Sequence, residues 1–203
     1  IGELIRQKEG TDEVFVTGSE ESFGMLKGAY ARDKDGAAGA LPIAEYAAEL
    51  KKEGKTLYDR LLELYVQHGL YVESLANAYF LGASGFETMQ QAMAQLRQAP
   101  PKRLGDYDIT AILDYKTLER RDIATGKVQP IDCIKGNVVV LELNGDEHCR
   151  VTIRPSGTEP KLKFYVQWRE EVRDPAHAEV QYHEVAERLE ALSKTLEGML
   201  LDS

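Results

Sequence analysis

Cysteine is scarce in this chain. Among 203 residues only Cys133 and Cys149 occur, without the paired spacing of a metal site, so a disulfide framework is not expected and two free thiols are. Long apolar runs are missing too: nowhere are there the roughly 20 consecutive apolar residues that a bilayer span requires, and the first residues lack the order of a secretion signal. The expectation is a cytoplasmic protein with no membrane partner. Positive charge is in deficit. Lys and Arg number 25 against 34 Asp and Glu, a net charge of -9, which argues against a nonspecific nucleic-acid binder, because such a protein needs a broad basic surface. The four histidines, His68, His148, His177 and His183, are scattered and receive no catalytic role. Apolar content of 43% beside 29% charged residues is enough to build a core and excludes a disordered chain.

What is present is a local concentration of phosphate-binding groups. In Val151-Thr-Ile-Arg-Pro-Ser-Gly-Thr-Glu-Pro-Lys-Leu-Lys-Phe-Tyr-Val166, two alternating strand patterns flank a polar loop. Arg154 offers a planar fork of donors, Ser156 and Thr158 offer hydroxyls, and Gly157 lets a backbone N–H approach an anion closely. Pro155 and Pro160 stiffen both ends. Lys161 and Lys163 share one strand parity and Leu162, Phe164 and Val166 the other, so the two ammonium groups project together while the apolar set packs inward.

The rest of the chain reads as two parts separated by Pro100-Pro101. In residues 1–100, Val14-Phe-Val16 has the look of a buried parallel strand, with the Ser19–Gly24 segment at its carboxyl end, where open α/β sheets bind ligands. Helices are expected from Ala40 to Lys52, after a Thr56 cap up to Gly69, and after a Ser84-Gly-Phe-Glu87 capping box with Phe86, Met89, Met93 and Leu96 on its apolar stripe. In residues 101–203, four strands are expected, Tyr107 to Tyr115, Val138 to Leu143, Cys149 to Arg154 and Leu162 to Trp168, the middle two joined by a turn at Asn144-Gly145. A helix from about Ala178 to Leu201 is expected to cover them. The fold class is therefore an α/β part followed by an α+β domain with a four-stranded antiparallel sheet covered by helix.

Three motifs in order carry a family resemblance. Arg154-Pro-Ser-Gly-Thr-Glu-Pro-Lys161 resembles the phosphate-binding loop in the fourth domain of the α-D-phosphohexomutase superfamily. Ser19-Glu-Glu-Ser-Phe-Gly24 resembles the sugar-binding loop of its third domain, with Ser19 in place of the usual leading glycine, and Arg32-Asp-Lys-Asp-Gly36 resembles the basic turn that follows. Taken alone, Glu20, Glu21 and Ser22 would serve as an ordinary helix start, and residues 32–36 as a solvated turn. The resemblance implies instead that Glu20 and Ser22 bind sugar hydroxyls, that Lys34, assisted by Arg32, reaches the active cleft to meet phosphate or developing charge, and that Arg154, Ser156, Gly157, Thr158, Lys161 and Lys163 bind phosphate. It assigns 1–100 to the third domain, in part, and 101–203 to the fourth.

The resemblance further implies an intramolecular phosphotransferase that interconverts glucose 1-phosphate and glucose 6-phosphate through a phosphoserine and a bisphosphorylated sugar. Phosphomannomutase, phosphopentomutase and a noncatalytic phosphosugar-binding module are the alternatives. Magnesium and hexose 1,6-bisphosphate are the cofactors implied for a full-length parent. The nucleophilic serine and metal loop have no recognisable counterpart here, and no metal ligand is assigned. Because the opening residues resemble the middle of the third domain, the sequence reads as a carboxy-terminal piece. Its expected partners are a hexose phosphate, the preceding domains of the same enzyme and, through an exposed sheet edge, a second copy.

Overall fold

The computed structural model describes residues 1–20 and 24–201. Two compact units emerge, Ile1–Leu61 and Leu62–Ser203. No helix among the described residues is long and apolar enough to cross a membrane.

The first unit holds α1 (Gly2–Lys8), β1 (Thr17–Glu20), β2 (Gly24–Lys27) and α2 (Gly36–Lys52), and α3 (Leu57–His68) starts in it. β1 and β2 pair antiparallel, Thr17 opposite Lys27 and Glu20 opposite Gly24. α2 starts earlier than its apolar spacing indicates, because Asp35 caps it by accepting hydrogen bonds from Ala37 N (2.9 Å) and Ala38 N (3.2 Å). The Asp35 N–H donates to Met25 O at 2.8 Å, so the helix start is tied to β2. α3 opens with a reciprocal box: Asp59 N donates to Thr56 Oγ1 at 3.1 Å and Thr56 N to Asp59 Oδ2 at 2.7 Å.

One expectation fails in this unit. Val14 and Val16 belong to no strand and are 82% and 68% exposed. A parallel neighbour needs a crossover of about a dozen residues or more, whereas the strand partner at hand, β2, is the next strand along the chain and pairs antiparallel. The buried parallel strand is thus replaced by a two-stranded hairpin beginning at Thr17. Val14 and Val16 reflect β propensity without burial.

The second unit is built on β3 (Leu70–Tyr79), α4 (Gly85–Gln98), β4 (Arg103–Leu104), β5 (Tyr107–Asp114), β6 (Glu119–Asp122), β7 (Val128–Pro130), β8 (Val139–Leu143), β9 (Asp146–Pro155), β10 (Lys161–Glu170) and α5 (Pro175–Leu201). The strands form one eight-stranded antiparallel sheet in the order β3-β10-β9-β8-β5-β6-β7, with β4 pairing on β5. All four expected strands are present, but the four-stranded description is corrected to eight. β3 adds a full ten-residue strand beside β10, and the short β6 and β7 extend the sheet beyond β5. Since β3 lies before Pro100, the compact second unit begins at Leu62 and the paired prolines fall within it.

Parity along the strands decides which face is buried. Leu162, Phe164, Val166 and Trp168 of β10 share a face with Val151 and Ile153 of β9 and with Val72, Ala76 and Ala78 of β3, all at most 7% exposed. Against them lie Met89, Met93 and Leu96 of α4 and Val185, Leu189, Leu192 and Leu196 of α5. Phe86, expected on the α4 stripe, is about half exposed, and Ser84 makes no side-chain cap bond. Crowding sets this helix start, because a Cβ at Gly85 would come within 2.2 Å of Phe80 O. At the Asn144-Gly145 turn both residues have positive φ, 53° and 75°, as a tight hairpin demands.

Glu170, at the end of β10, joins sheet to α5. Its carboxylate accepts from Trp168 Nε1 (3.1 Å), from Gln181 Nε2 (3.1 Å) and from Arg188 Nη2. Partial burial opposes ionisation, yet these donors outweigh it and hold the carboxyl below the usual glutamate value. A depressed folded-state pKa adds stability above the unfolded value and loses it as pH falls through the folded one. We therefore expect Glu170→Gln to lower stability by about 1 kcal/mol at pH 7. In urea unfolding, the gap to the unaltered chain should shrink as pH drops below about 4; a gap constant down to pH 3 would contradict this assignment.

Candidate functional site

The basic loop sits at one end of the β9–β10 hairpin, and the register there determines what it presents. Lys163 lies opposite Arg154 and Leu162 opposite Pro155, so Arg154 and Lys163 emerge side by side on the face opposite the buried one. On the other edge of β10, Asn77 pairs with Lys163 and Tyr79 with Lys161. Two rows result, Arg154–Lys163–Asn77 and Lys161–Tyr79. Among the described residues, neither Arg154 nor Lys163 makes an ion pair or a side-chain hydrogen bond.

Short bonds fix the loop itself. Ser156 N donates to Lys161 O (2.9 Å) and Lys161 N to Glu159 O (2.8 Å), while Phe80 N from beyond β3 donates to Pro160 O (2.8 Å). Thr158 N reaches Ser156 Oγ at 3.4 Å. Gly157 and Thr158 are exposed, and a Cβ at Gly157 would meet nothing within 4 Å. Neither the chain's own packing nor a positive φ demands glycine there. Lys161 differs from Arg154 and Lys163: its Nζ lies 2.6 Å from Glu159 Oε2 and 5.3 Å from the centre of the Tyr79 ring. Glu159 holds this ammonium above the ordinary lysine value.

In the first unit, the Ser19–Gly24 segment spans the β1–β2 connection. The Glu20 backbone pairs with Gly24, while Ser22 lies outside the described residues. Lys34 is placed by packing, since its stem runs across Gly24 where a Cβ would occupy its space: 1.7 Å from Cδ and 2.1 Å from Cγ. Its Nζ is 3.6 Å from Asp33 Oδ1. Arg32 pairs with Glu9. Asp35 accepts from the Tyr30 hydroxyl as well as from α2, and these bonds, Tyr30's first, hold its carboxyl below the usual range. The basic turn is thus built from its aspartates, and Gly24 brings Lys34 to the root of the 20–24 connection. Among the described residues no group of three or more His, Cys, Asp or Glu side chains gathers in a way that could hold a metal ion.

Tyr79 and Asn77 escaped the sequence reading. The signal that could have found them is the alternation in Leu70–Tyr79, with Leu70, Val72, Ala76 and Ala78 on one parity and Tyr71, Glu73, Asn77 and Tyr79 on the other.

The described architecture is a mixed α/β protein with a large antiparallel sheet backed by helices and a basic hairpin loop at its margin. No protein-family model matches the chain. It is 35% identical to the phosphoglucomutase of Staphylococcus haemolyticus over 167 residues, 82% of this chain and 30% of that protein. It is 35% identical to the phosphoglucomutase of Staphylococcus aureus strain MRSA252 over 166 residues, 82% and 29% respectively. With the phosphoglucomutase of Staphylococcus epidermidis it shares 34% over 155 residues, 76% and 28%. The chain belongs to the phosphohexomutase superfamily. It spans less than a third of the length of these relatives. Among solved structures, the open form of Paramecium parafusin, described as a phosphoglucomutase, aligns with a TM-score of 0.48 and 18% identity over 87% of this chain and 30% of that one.

Replacing Gly24 should displace Lys34. Gly24→Ala is expected to cost about 1–3 kcal/mol in urea unfolding, as overpacking does. A change within about 0.5 kcal/mol, ordinary for a surface substitution, would contradict the packing of Lys34 on Gly24.

Proposed function

We propose that this chain supplies the sugar- and phosphate-recognition loops of a phosphohexomutase that interconverts glucose 1-phosphate and glucose 6-phosphate. The observation that carries this reading is the row formed by Arg154 and Lys163 beside the half-buried Ser156 and the exposed Gly157 and Thr158. Two cations without ion-pair partners among the described residues, the Gly157 N–H and two hydroxyls form a donor set suited to a phosphate dianion. The open space at Gly157 supports close approach of an anion to the backbone. The similarity to staphylococcal phosphoglucomutases supports the choice of sugar phosphate over free phosphate.

In this proposal residues 1–100 belong to a third mutase domain and 101–203 to a fourth. Glu20 and Ser22 hold sugar hydroxyls, and Lys34, with Arg32 beside it, supplies positive charge to the cleft. Arg154, Ser156, Gly157, Thr158 and Lys163 grip the phosphate that is not being transferred. The reaction proceeds through a phosphoserine and a bisphosphorylated sugar that turns over between two transfers. A grip that reads phosphate alone serves either end of that sugar, which reduces positioning to orienting the intermediate. Magnesium belongs to the parent enzyme in this reading. The described residues do not fit it, since no group of three or more His, Cys, Asp or Glu side chains among them could hold the ion.

Calorimetry on the purified chain tests the reading. Glucose 1-phosphate should bind and glucose should not. Loss of one charge-assisted contact costs about 1.5–3 kcal/mol, so Arg154→Ala should weaken binding roughly 10- to 100-fold. A coupled assay should detect no glucose 6-phosphate. Unchanged affinity in Arg154→Ala would overturn the site, and turnover by the contaminant-free chain would overturn the division of labour.

A further inference from the structure

Lys161 looks at first like a third cation of the loop, yet its surroundings commit it elsewhere. Its side chain is only 15% exposed, with one face toward the Tyr79 ring at 5.3 Å and the carboxylate of Glu159 at 2.6 Å. The pair is electrically neutral, so it adds little field at a bound anion. What it does is neutralise the one acidic group in a loop meant for anions, and hold it aside. The backbone concurs: Lys161 N and O are both bonded within the loop, and the neighbouring Pro160 O is held by Phe80, next to Tyr79.

We propose that Tyr79 is a positioning residue of this loop, its ring holding the Lys161 ammonium against Glu159 so that Ser156–Pro160 keeps one shape and Arg154 and Lys163 are left for phosphate. The role in binding rests on the reading under Proposed function, whereas the clamp of ring, ammonium and carboxylate is a property of the chain alone. An aromatic face attracts a cation without removing its charge. The hydroxyl is not required for this, and phenylalanine should substitute where leucine cannot. Tyr79 is half exposed on an edge strand, so either replacement leaves the core untouched.

Two measurements separate the clamp from the binding role. Lysine acetylation read by mass spectrometry should modify Lys161 several-fold more slowly than Lys163 in the unaltered chain. Tyr79→Leu and Glu159→Gln should each bring Lys161 toward the Lys163 rate, and Tyr79→Phe should keep it slow. Protection that survives Tyr79→Leu, or is lost equally in Tyr79→Phe, overturns the clamp. By calorimetry with glucose 1-phosphate, Tyr79→Leu should weaken binding about 2- to 6-fold, the range of an exposed cation–π contact, with Tyr79→Phe restoring it. Unaltered affinity in Tyr79→Leu, in a chain whose binding does depend on Arg154, overturns the positioning role while sparing the phosphate reading. Absence of binding by the unaltered chain overturns the phosphate reading and the positioning role together, and leaves acetylation to decide the clamp.

Discussion

The pairing register of β9 with β10 is the constraint on which the second unit depends. Ile153 opposite Phe164 and Val151 opposite Val166 form one face, and Arg154 opposite Lys163 the other. Because side chains alternate with period two, a slip of one residue on either strand would carry Arg154 or Lys163 toward the core and an apolar partner into water. The cost of burying an unpaired guanidinium excludes that alternative. Hydrophobic burial under α4 and α5 thus fixes where the charges stand, so the core specifies the site without touching it.

β3 strengthens this constraint from the other side. Its ten-residue ladder with β10 runs from Tyr79 opposite Lys161 to Leu70 opposite Glu170, giving β10 partners on both edges from Leu162 to Gln167. The loop is then held at its base by β9, at Pro160 by Phe80 and at Lys161 by Glu159 and Tyr79. A binding loop closed in one conformation loses less entropy when a ligand arrives. In the first unit, Lys34 is placed by the packing of its stem on Gly24, with its Nζ 3.6 Å from Asp33 Oδ1.

Much of this was legible in the sequence, and the exceptions have physical causes. The four strands at 107–115, 138–143, 149–154 and 162–168, the Asn144-Gly145 turn, the Thr56 cap and the final helix were readable because their patterns are local and strong. β3 was not, since Leu75 sits on its polar parity and Ser74 on its apolar one. Ser74 tolerates the covered face because its hydroxyl lies 3.2 Å from that of Ser193 on α5, a tertiary contact that no local pattern announces. Val14 and Val16 misled for the opposite reason: β-branched residues resemble buried strand wherever they occur, and only pairing decides. The strand parity of Lys161 and Lys163 could be read from the motif, whereas the placing of Arg154 opposite Lys163 comes from the β9–β10 register. The commitment of Lys161 to Glu159 depends on loop closure and on Tyr79, some 80 residues earlier, and so could not be read from the motif.

The central claim is that the β9–β10 register presents Arg154, Lys163 and the Ser156–Thr158 backbone as a single phosphate grip. The most direct measurement is a backbone amide NMR titration of the chain with glucose 1-phosphate. The account predicts saturable shifts concentrated at residues 154–158 and 163, with glucose causing none there. Saturable shifts centred elsewhere, or none at these residues, would contradict it.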